Sequence, residues 1–416
     1  MSKSGAQFIL AVVDEALETE KPLIAYPPDV FTEALMVGEN IFFTHVDNTK
    51  NTLTGYKLRK DLVAVKVWQI NFARQGEKFV HLESQFQTAS TVDHLHFTPT
   101  AFSGENIIYK HLDSNLFALA TVSKETDGDV ADLYVYLING VSGKVIHKYY
   151  EKNVRLNLPI DFVLSENLFI LSFQRQDMGT LLTHQELTVT ELFSQRQEDN
   201  TKKLLMEFYT RGEERLLQRE FSSFLIDQPV VVQESYVLPF TVKAMALTQT
   251  LHHITGKNLV VLTHNGLLYQ IDNALFSARR PHTDNLVLGE KSVEEPKKAD
   301  HPTAIIRASD LKVKELPPYD AVIPIISTKY ISYGLPLVNM KDIKTFPTRL
   351  ESTTQVLSIG FDLFFTRLSP ETTFDLLQES FNYTLLFVFI AGLALATVLV
   401  RNYAIKTKRE NAFLIM

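Results

Sequence analysis

Residues Tyr134–Tyr149 read YVYLINGVSGKVIHKY: a strand, an Asn-Gly-Val-Ser-Gly turn and a returning strand. Alternating β-formers on both sides of a glycine-containing turn predict an antiparallel hairpin. Looser versions of the same shape occur at Thr52–Trp68 and Leu259–Ile271. Around them, further short runs rich in Val, Ile, Leu, Phe and Tyr predict strands at Asn40–His45, Leu62–Ile70, Leu116–Val122, Asp132–Asn139, Lys144–Tyr149, Phe162–Phe173, Leu187–Phe193, Asn258–Thr263 and Gly266–Ile271. Gly, Asn, Asp and Ser separate them, as turns require.

Successive hairpins of this kind suit a β-propeller, whose short blades protect one another's edges, with a β-sandwich as the alternative. Residues 1–360 are therefore expected to form a mainly β body. One segment breaks the rhythm: TKKLLMEFYTRGEERLLQREFSSFL, residues 201–225, has partial helical periodicity interrupted by Gly212 and predicts a helical insertion. Residues 285–318, with VEEPKKADHP and ELPP, predict a long charged loop.

The chain has 416 residues, 48 acidic and 41 basic side chains, 45% hydrophobic residues and no cysteine. Its apolar content is that of a folded protein, and its mild, dispersed acidity lacks the basic stripe that would displace counterions from nucleic acid. Without cysteine there are no thiolate metal sites, disulfides or thiol nucleophiles. The nearest approach to a metal motif is Asp93-His94-Leu95-His96, whose histidines would share one strand face without an evident third ligand. His252-His253 would point in opposite directions. No GxSxG elbow, phosphate-cradling glycine loop or HExxH is present, and Ala278-Arg279-Arg280 before Pro281 reads as a loop anchor. No catalytic role and no cofactor or metal is expected.

At the far end, residues 381–400 read FNYTLLFVFIAGLALATVLV without a charge, long enough as a helix to cross a bilayer. Arg401, Lys406, Lys408 and Arg409 follow, and Glu371, Asp375 and Glu379 precede, so the positive-inside rule places the 401–416 tail in the cytosol and the bulk of the chain opposite. The start of the sequence, with Asp14 and Glu15 breaking a short apolar run, makes a poor signal peptide. Ser369-Pro370-Glu371 has the cap, proline and first-turn acid of a helix start, and Phe374, Leu377 and Phe381 share one face. An amphipathic brace on the membrane surface is expected over 361–380. Ala391, Gly392, Ala394 and Ala396 form a small-residue patch where a neighbouring membrane helix could approach. The sequon Asn382-Tyr383-Thr384 lies at the membrane boundary and is expected to be unused.

ITGKNLVVLTHNGLLYQIDNALFSARRP (254–281) and LESTTQVLSIGFDLFFTRLSPETTFDLL (350–377), followed by one span and a basic tail, resemble the end of the subunit 1 family of the endoplasmic reticulum (ER) membrane protein complex. Phe221-Ser222-Ser223, Gln233-Glu234-Ser235-Tyr236, Pro239 and Ala244-Met245 resemble it upstream, and the Asn-Gly-Val-Ser-Gly-Lys hairpin resembles it more loosely. The resemblance implies quinoprotein-like β-propeller blades in the lumen, then an amphipathic brace helix and one transmembrane helix. It also implies a single-pass ER membrane protein acting as scaffold and platform in a complex that inserts tail-anchored and multipass proteins. Its partners would be the other subunits of that complex, membrane lipid and client membrane proteins. Family members are more than twice as long, so the sequence is expected to be a fragment, with a shortened natural form as the alternative. Two other classes share some of these features: a single-span receptor or adhesion protein with a β-rich ectodomain, and a membrane-anchored quinoprotein-like enzyme.

Overall fold

The structure, a computed structural model, describes residues 9–12, 23–26, 41–58, 64–73, 76–84, 100–102, 106–113, 115–123, 130–157, 159–177, 179, 182–198, 223–224, 228–250, 255–282, 316–369 and 383–414. It divides into two units, residues 1–370 and 371–416. The described residues of the first are mainly antiparallel β. Its strands are β1 (Ile9–Val12), β2 (Leu23–Tyr26), β3 (Phe42–Asp47), β4 (Thr52–Leu58), β5 (Ala64–Asn71), β6 (Lys78–Ser84), β7 (Thr100–Phe102) and β8 (Asn106–Lys110). Next come β9 (Leu116–Val122), β10 (Val130–Asn139), β11 (Val145–Arg155), β12 (Asp161–Ser165), β13 (Leu168–Gln176), β14 (Thr183–Glu198) and β15 (Val230–Leu238). The last are β16 (Val242–Leu247), β17 (Leu259–Thr263), β18 (Leu268–Ile271), β19 (Met340–Pro347), β20 (Thr354–Gly360) and β21 (Leu363–Leu368), with a one-turn helix α1 (Asn273–Phe276) after β18.

The three hairpins expected at Thr52–Trp68, Tyr134–Tyr149 and Leu259–Ile271 are the pairs β4/β5, β10/β11 and β17/β18. The single strand expected at Phe162–Phe173 is instead a hairpin, β12/β13, closed by Ser165↔Leu168. Glu166 makes that turn in the left-handed region at φ 54°, a conformation its side chain does not advertise. Of the expected insertion at 201–225 only Ser223 and Phe224 are described, and of the expected loop at 285–318 only 316–318; Asp93, His94, His96, His252 and His253 also lie outside the described residues.

The ten-stranded sheet is two four-stranded groups, β6-β9-β10-β11 and β12-β13-β14-β15, joined through the single pair Val154↔Arg175, with hairpin β7/β8 added to the end of β14. Flanking them are three-stranded meanders β3-β4-β5, β16-β17-β18 and β19-β20-β21. Consecutive groups pack face to face. Leu53, Phe117, Leu119, Tyr136 and Ile138 join β3–β5 to the next group. Leu116, Ala118, Ala120, Leu133, Val135 and Leu137 use the opposite faces of β9 and β10 to meet Phe162, Phe169 and Leu171. Ile170, between Phe169 and Leu171, points the other way, toward Val189, Tyr236, Met245 and Val261. Ala244, Ala246, Val260 and Leu262 then meet Met340, Ile343 and Val356. Side chains alternate across a strand, so a strand covered on both faces buries every position, apolar or hydrogen-bonded, as Thr121 donates to Glu77 at 2.5 Å. This is why β9, LFALATV, is buried throughout.

The turn at 139–143 is built by its asparagine. The Asn139 side chain accepts from Val141 N, Ser142 N and the Ser142 hydroxyl, while its amide donates to Asp113 at 2.7 Å and to Ser223 at 3.1 Å. Gly143 supplies the left-handed residue at φ 70°, and a Cβ there would lie 2.5 Å from Trp68. Trp68, the sole tryptophan, lies between this turn and Gly55 and donates Nε1 to Gly140 O at 3.2 Å, tying the β3–β5 meander to the next group.

Candidate functional site

Among the described residues, no group of three or more His, Cys, Asp or Glu could hold a metal ion. What they offer is a series of inter-sheet clamps, an edge-capping strap, an exposed apolar strand and a long apolar helix.

At one end of the sheets, Glu166 in the β12–β13 turn receives Lys257 at 2.8 Å and Lys110 at 3.3 Å, and Lys257 also donates to Ser165 at 2.7 Å. Burial pushes the Lys257 ammonium down from its ordinary pKa, with the Glu166 carboxylate opposing that shift. Removing one partner of a buried charge pair leaves the other uncompensated, at a cost of about 3–5 kcal/mol. Glu166→Ala is therefore expected to lower stability by about that amount, read by chemical denaturation of the detergent-solubilised chain; an unchanged midpoint would show that the cluster does not clamp these sheets. The next two groups are clamped at the same end by Glu351, which accepts from Thr250 at 2.6 Å and whose carbonyl accepts from Thr255 at 2.7 Å.

His111, beside the Asp113 turn, is held neutral by burial and by Lys144, its pKa lowered to about 4 from 6.5. The unfolded chain thus binds a proton that the folded one refuses between those values, and stability falls as pH drops from 6.5 toward 4. At about 1.4 kcal/mol per unit, the loss is roughly 3 kcal/mol. His111→Gln should flatten this part of the stability profile, measured by denaturant midpoint at pH 7 and pH 4.5; an equally steep profile would assign the acid sensitivity elsewhere.

Residues 316–337 form the strap. Val237 N donates to Ala321 O and Ile323 N to Val237 O along β15, and Ile331 N donates to Leu268 O beside β18. Arg280 pins its start, donating to the carbonyls of Leu275 at 2.8 Å, Pro317 at 3.3 Å and Pro318, while Arg279 pairs with Glu191 at 3.0 Å. The expectation that Ala278-Arg279-Arg280 anchors a loop is met in these bonds.

Past the strap, β19–β21 buries one face and exposes the other. Leu363 is 73% and Phe365 60% exposed, with Phe361 and Val338 exposed at the adjoining turn. β21 occupies 363–368, so the first part of the 361–380 range expected for the brace is strand. Phe374, Leu377 and Phe381 lie outside the described residues.

In the second unit, helix α2 runs from Tyr383 to Leu414 and carries a stretch, Tyr383–Lys408, long and apolar enough to cross a membrane. Arg401, Lys406, Lys408 and Arg409 continue the same helix, so the expected tail from 401 is helical through Leu414. At about 100° per residue, Gly392 and Ala396 fall on one side of α2, and Ala391 and Ala394 on the other. Gly392-x-x-x-Ala396 has the small-residue spacing that permits close helix approach. Among the described residues, no side chain lies within 4 Å of a Cβ built on Gly392.

Residues 2–371 match the family model described as ER membrane protein complex subunit 1, second beta-propeller. The chain belongs to that family. Proteins called ER membrane protein complex subunit 1 are 27% identical in Gallus gallus over 97% of this chain and 36% of theirs, and 27% identical in Xenopus laevis over 93% and 34%. The namesake from Saccharomyces cerevisiae is 24% identical over 93% of this chain and 46% of its own length. The chain thus spans between a third and a half of these curated relatives. A solved structure, Drosophila Semaphorin 1a extracellular domains 1-2, aligns at 10% identity over 81% of this chain and 80% of its own, with a TM-score of 0.25, and carries no argument.

Ser223, in the family-like Phe221-Ser222-Ser223, accepts from the side-chain amides of Asn115 at 3.0 Å and Asn139 at 3.1 Å, beside the 139–143 turn. Tyr236, in the family-like Gln233–Tyr236 run, is buried and donates to Ser277 O at 2.6 Å. The exposed β21 edge and the edge-capping strap were not anticipated from sequence, because outer-edge pairing depends on segments distant in the chain.

Proposed function

We propose that this chain is the membrane-anchored part of a non-catalytic scaffold subunit of the multi-subunit ER membrane protein complex, supporting insertion and folding of tail-anchored and multipass proteins. The single observation that carries the reading is the family match over residues 2–371. The face-to-face series of β groups supports a propeller that closes on itself, with quinoprotein-like blades serving as a rigid luminal platform. The positive flank after Val400 supports a cytosolic carboxy terminus and a luminal body. Phe374 and Leu377 are assigned to the membrane surface as a brace over 370–380, with Phe381 on the same face where the span begins, and Gly392 with Ala396 to contact with a neighbouring helix. Domain limits follow: a β body ending at β21, a brace, a span over 381–400 and a basic cytosolic end.

Depletion of the protein should reduce insertion of a tail-anchored reporter bearing a luminal glycosylation site, and re-expression should restore it. Reporter glycosylation unaffected by depletion would overturn the functional reading. Serine at Phe374, Leu377 and Phe381 together should loosen recovery of partner subunits severalfold while leaving the denaturation midpoint unchanged; undiminished recovery would remove the brace from the interface.

A further inference from the structure

We infer that Asn265 is a site of spontaneous deamidation, and that the isoaspartate formed there releases the strap from the β17–β18 hairpin.

The sequence has two Asn-Gly steps, Asn139-Gly140 and Asn265-Gly266. At such a step the glycine amide nitrogen attacks the asparagine Cγ. The new N–C bond closes a cyclic imide, the bond from Cγ to the side-chain nitrogen breaks, and that nitrogen leaves as ammonia with the glycine amide proton. Water then opens the ring at either carbonyl, giving aspartate or, when the chain stays joined through the side-chain carbons, isoaspartate. Glycine favours the attack because no Cβ obstructs its amide. The asparagine side chain must be able to turn toward that amide, and water must reach the ring.

The two steps differ in both respects. Asn139 is buried, and its side chain accepts from Val141 N, Ser142 N and the Ser142 hydroxyl while donating to Asp113 and Ser223. Attack there would break all of these bonds. Asn265 is exposed in the β17–β18 turn and makes no side-chain hydrogen bond among the described residues. The glycine amides themselves are alike: Gly140 N donates to Asn115 O at 2.8 Å and Gly266 N to Thr263 O at 3.0 Å. Each reaction therefore needs one turn bond to open, and an exposed hairpin tip opens more readily than a buried turn.

The site matters because the strap rests on it. Gly266 sits at φ 78°, and a Cβ there would lie 2.3 Å from Leu337 O. Its carbonyl accepts from Leu337 N at 2.9 Å, and Ile331 N donates to Leu268 O at 2.9 Å. The turn is closed by Thr263 N donating to Leu267 O at 2.8 Å and by Leu267 N donating to the Thr263 hydroxyl at 3.0 Å. Isoaspartate adds one atom to the main chain between positions 265 and 266. With the turn closed around it and the Leu337 backbone against it, Gly266 has no room to absorb that atom, so its bond to Leu337 is lost. Aspartate leaves the main chain unchanged and the bond in place.

The test is incubation of the purified full chain in detergent at physiological temperature and neutral pH, with peptide mapping by mass spectrometry at intervals. Isoaspartate is told from aspartate by its enzymatic carboxyl methylation, and a urea-unfolded sample reports the reactivity of both steps without structure. In the folded chain Asn265 should convert at least about tenfold faster than Asn139, since the buried turn must open first. Hydrogen exchange in peptides covering 330–337 should quicken about fivefold in chain enriched in isoaspartate, as loss of one main-chain bond allows. The variant Asn265→Gln, whose imide would need a larger ring, should keep its exchange rate on the same incubation. Asn265 intact in the folded chain while the unfolded sample converts, or both asparagines converting equally when folded, overturns the modification site. Isoaspartate at 265 with unchanged exchange over 330–337 overturns the release of the strap.

Discussion

Exchanging Ile390 and Leu393 for arginine is expected to release the chain from membranes into the alkaline-carbonate supernatant. Both residues lie near the middle of the uncharged part of α2, three positions apart and thus on one side of the helix. Arginine at the centre of a membrane helix costs about 2.5–3.5 kcal/mol on the insertion scale, so two together cost roughly 5–7 kcal/mol. That is enough to turn a stably inserted helix into one mostly left outside the bilayer. The conservative pair Ile390→Ala with Leu393→Ala should stay in the pellet. Retention of the double arginine chain would show that α2 is not what holds the protein to the membrane.

Phe169→Ala is expected to destabilise the β body by about 3–5 kcal/mol, the usual range for removing a buried aromatic side chain. Phe169 is fully buried on β13, with its ring 5.0 Å from Tyr149 and 5.8 Å from Phe162, so the loss opens a cavity between two sheet groups. The backbone around it is fixed on both sides by β12 and β14, which leaves little room for collapse. Domains of ordinary stability have about 5–15 kcal/mol in all, so the variant should unfold at much lower denaturant, followed by Trp68 fluorescence. Because Ile170 faces the other core, Ile170→Val should cost only about 0.5–1.5 kcal/mol. A Phe169→Ala midpoint unchanged from the parent chain would mean that the two groups do not pack as described.

Much of this architecture was legible because strands buried on both faces leave an unmistakable mark. Leu116–Val122 reads the same in sequence and structure, since both faces of β9 are covered and each position is apolar or small. The 139–143 hairpin was legible from its turn residues, which act as asparagine and glycine act in turns generally. The β12–β13 turn was hidden because Glu166 takes the left-handed conformation without glycine or proline to mark it. The clamps at Glu166 and Glu351 were equally hidden: each joins residues about a hundred positions apart, a relation that local pattern cannot encode. Charge alone marks residues past Val400 as a basic tail, yet RNYAIKTKRENAFL contains neither Gly nor Pro and has no reason to end the helix.

The proposed role is that of a β body serving as a platform for other membrane subunits. The measurement that tests it most directly is quantitative mass spectrometry of proteins recovered with the carboxy-terminally tagged chain after gentle detergent extraction of ER membranes. Near-stoichiometric recovery of several other membrane subunits is the predicted result; recovery of a stable, folded chain by itself would contradict it.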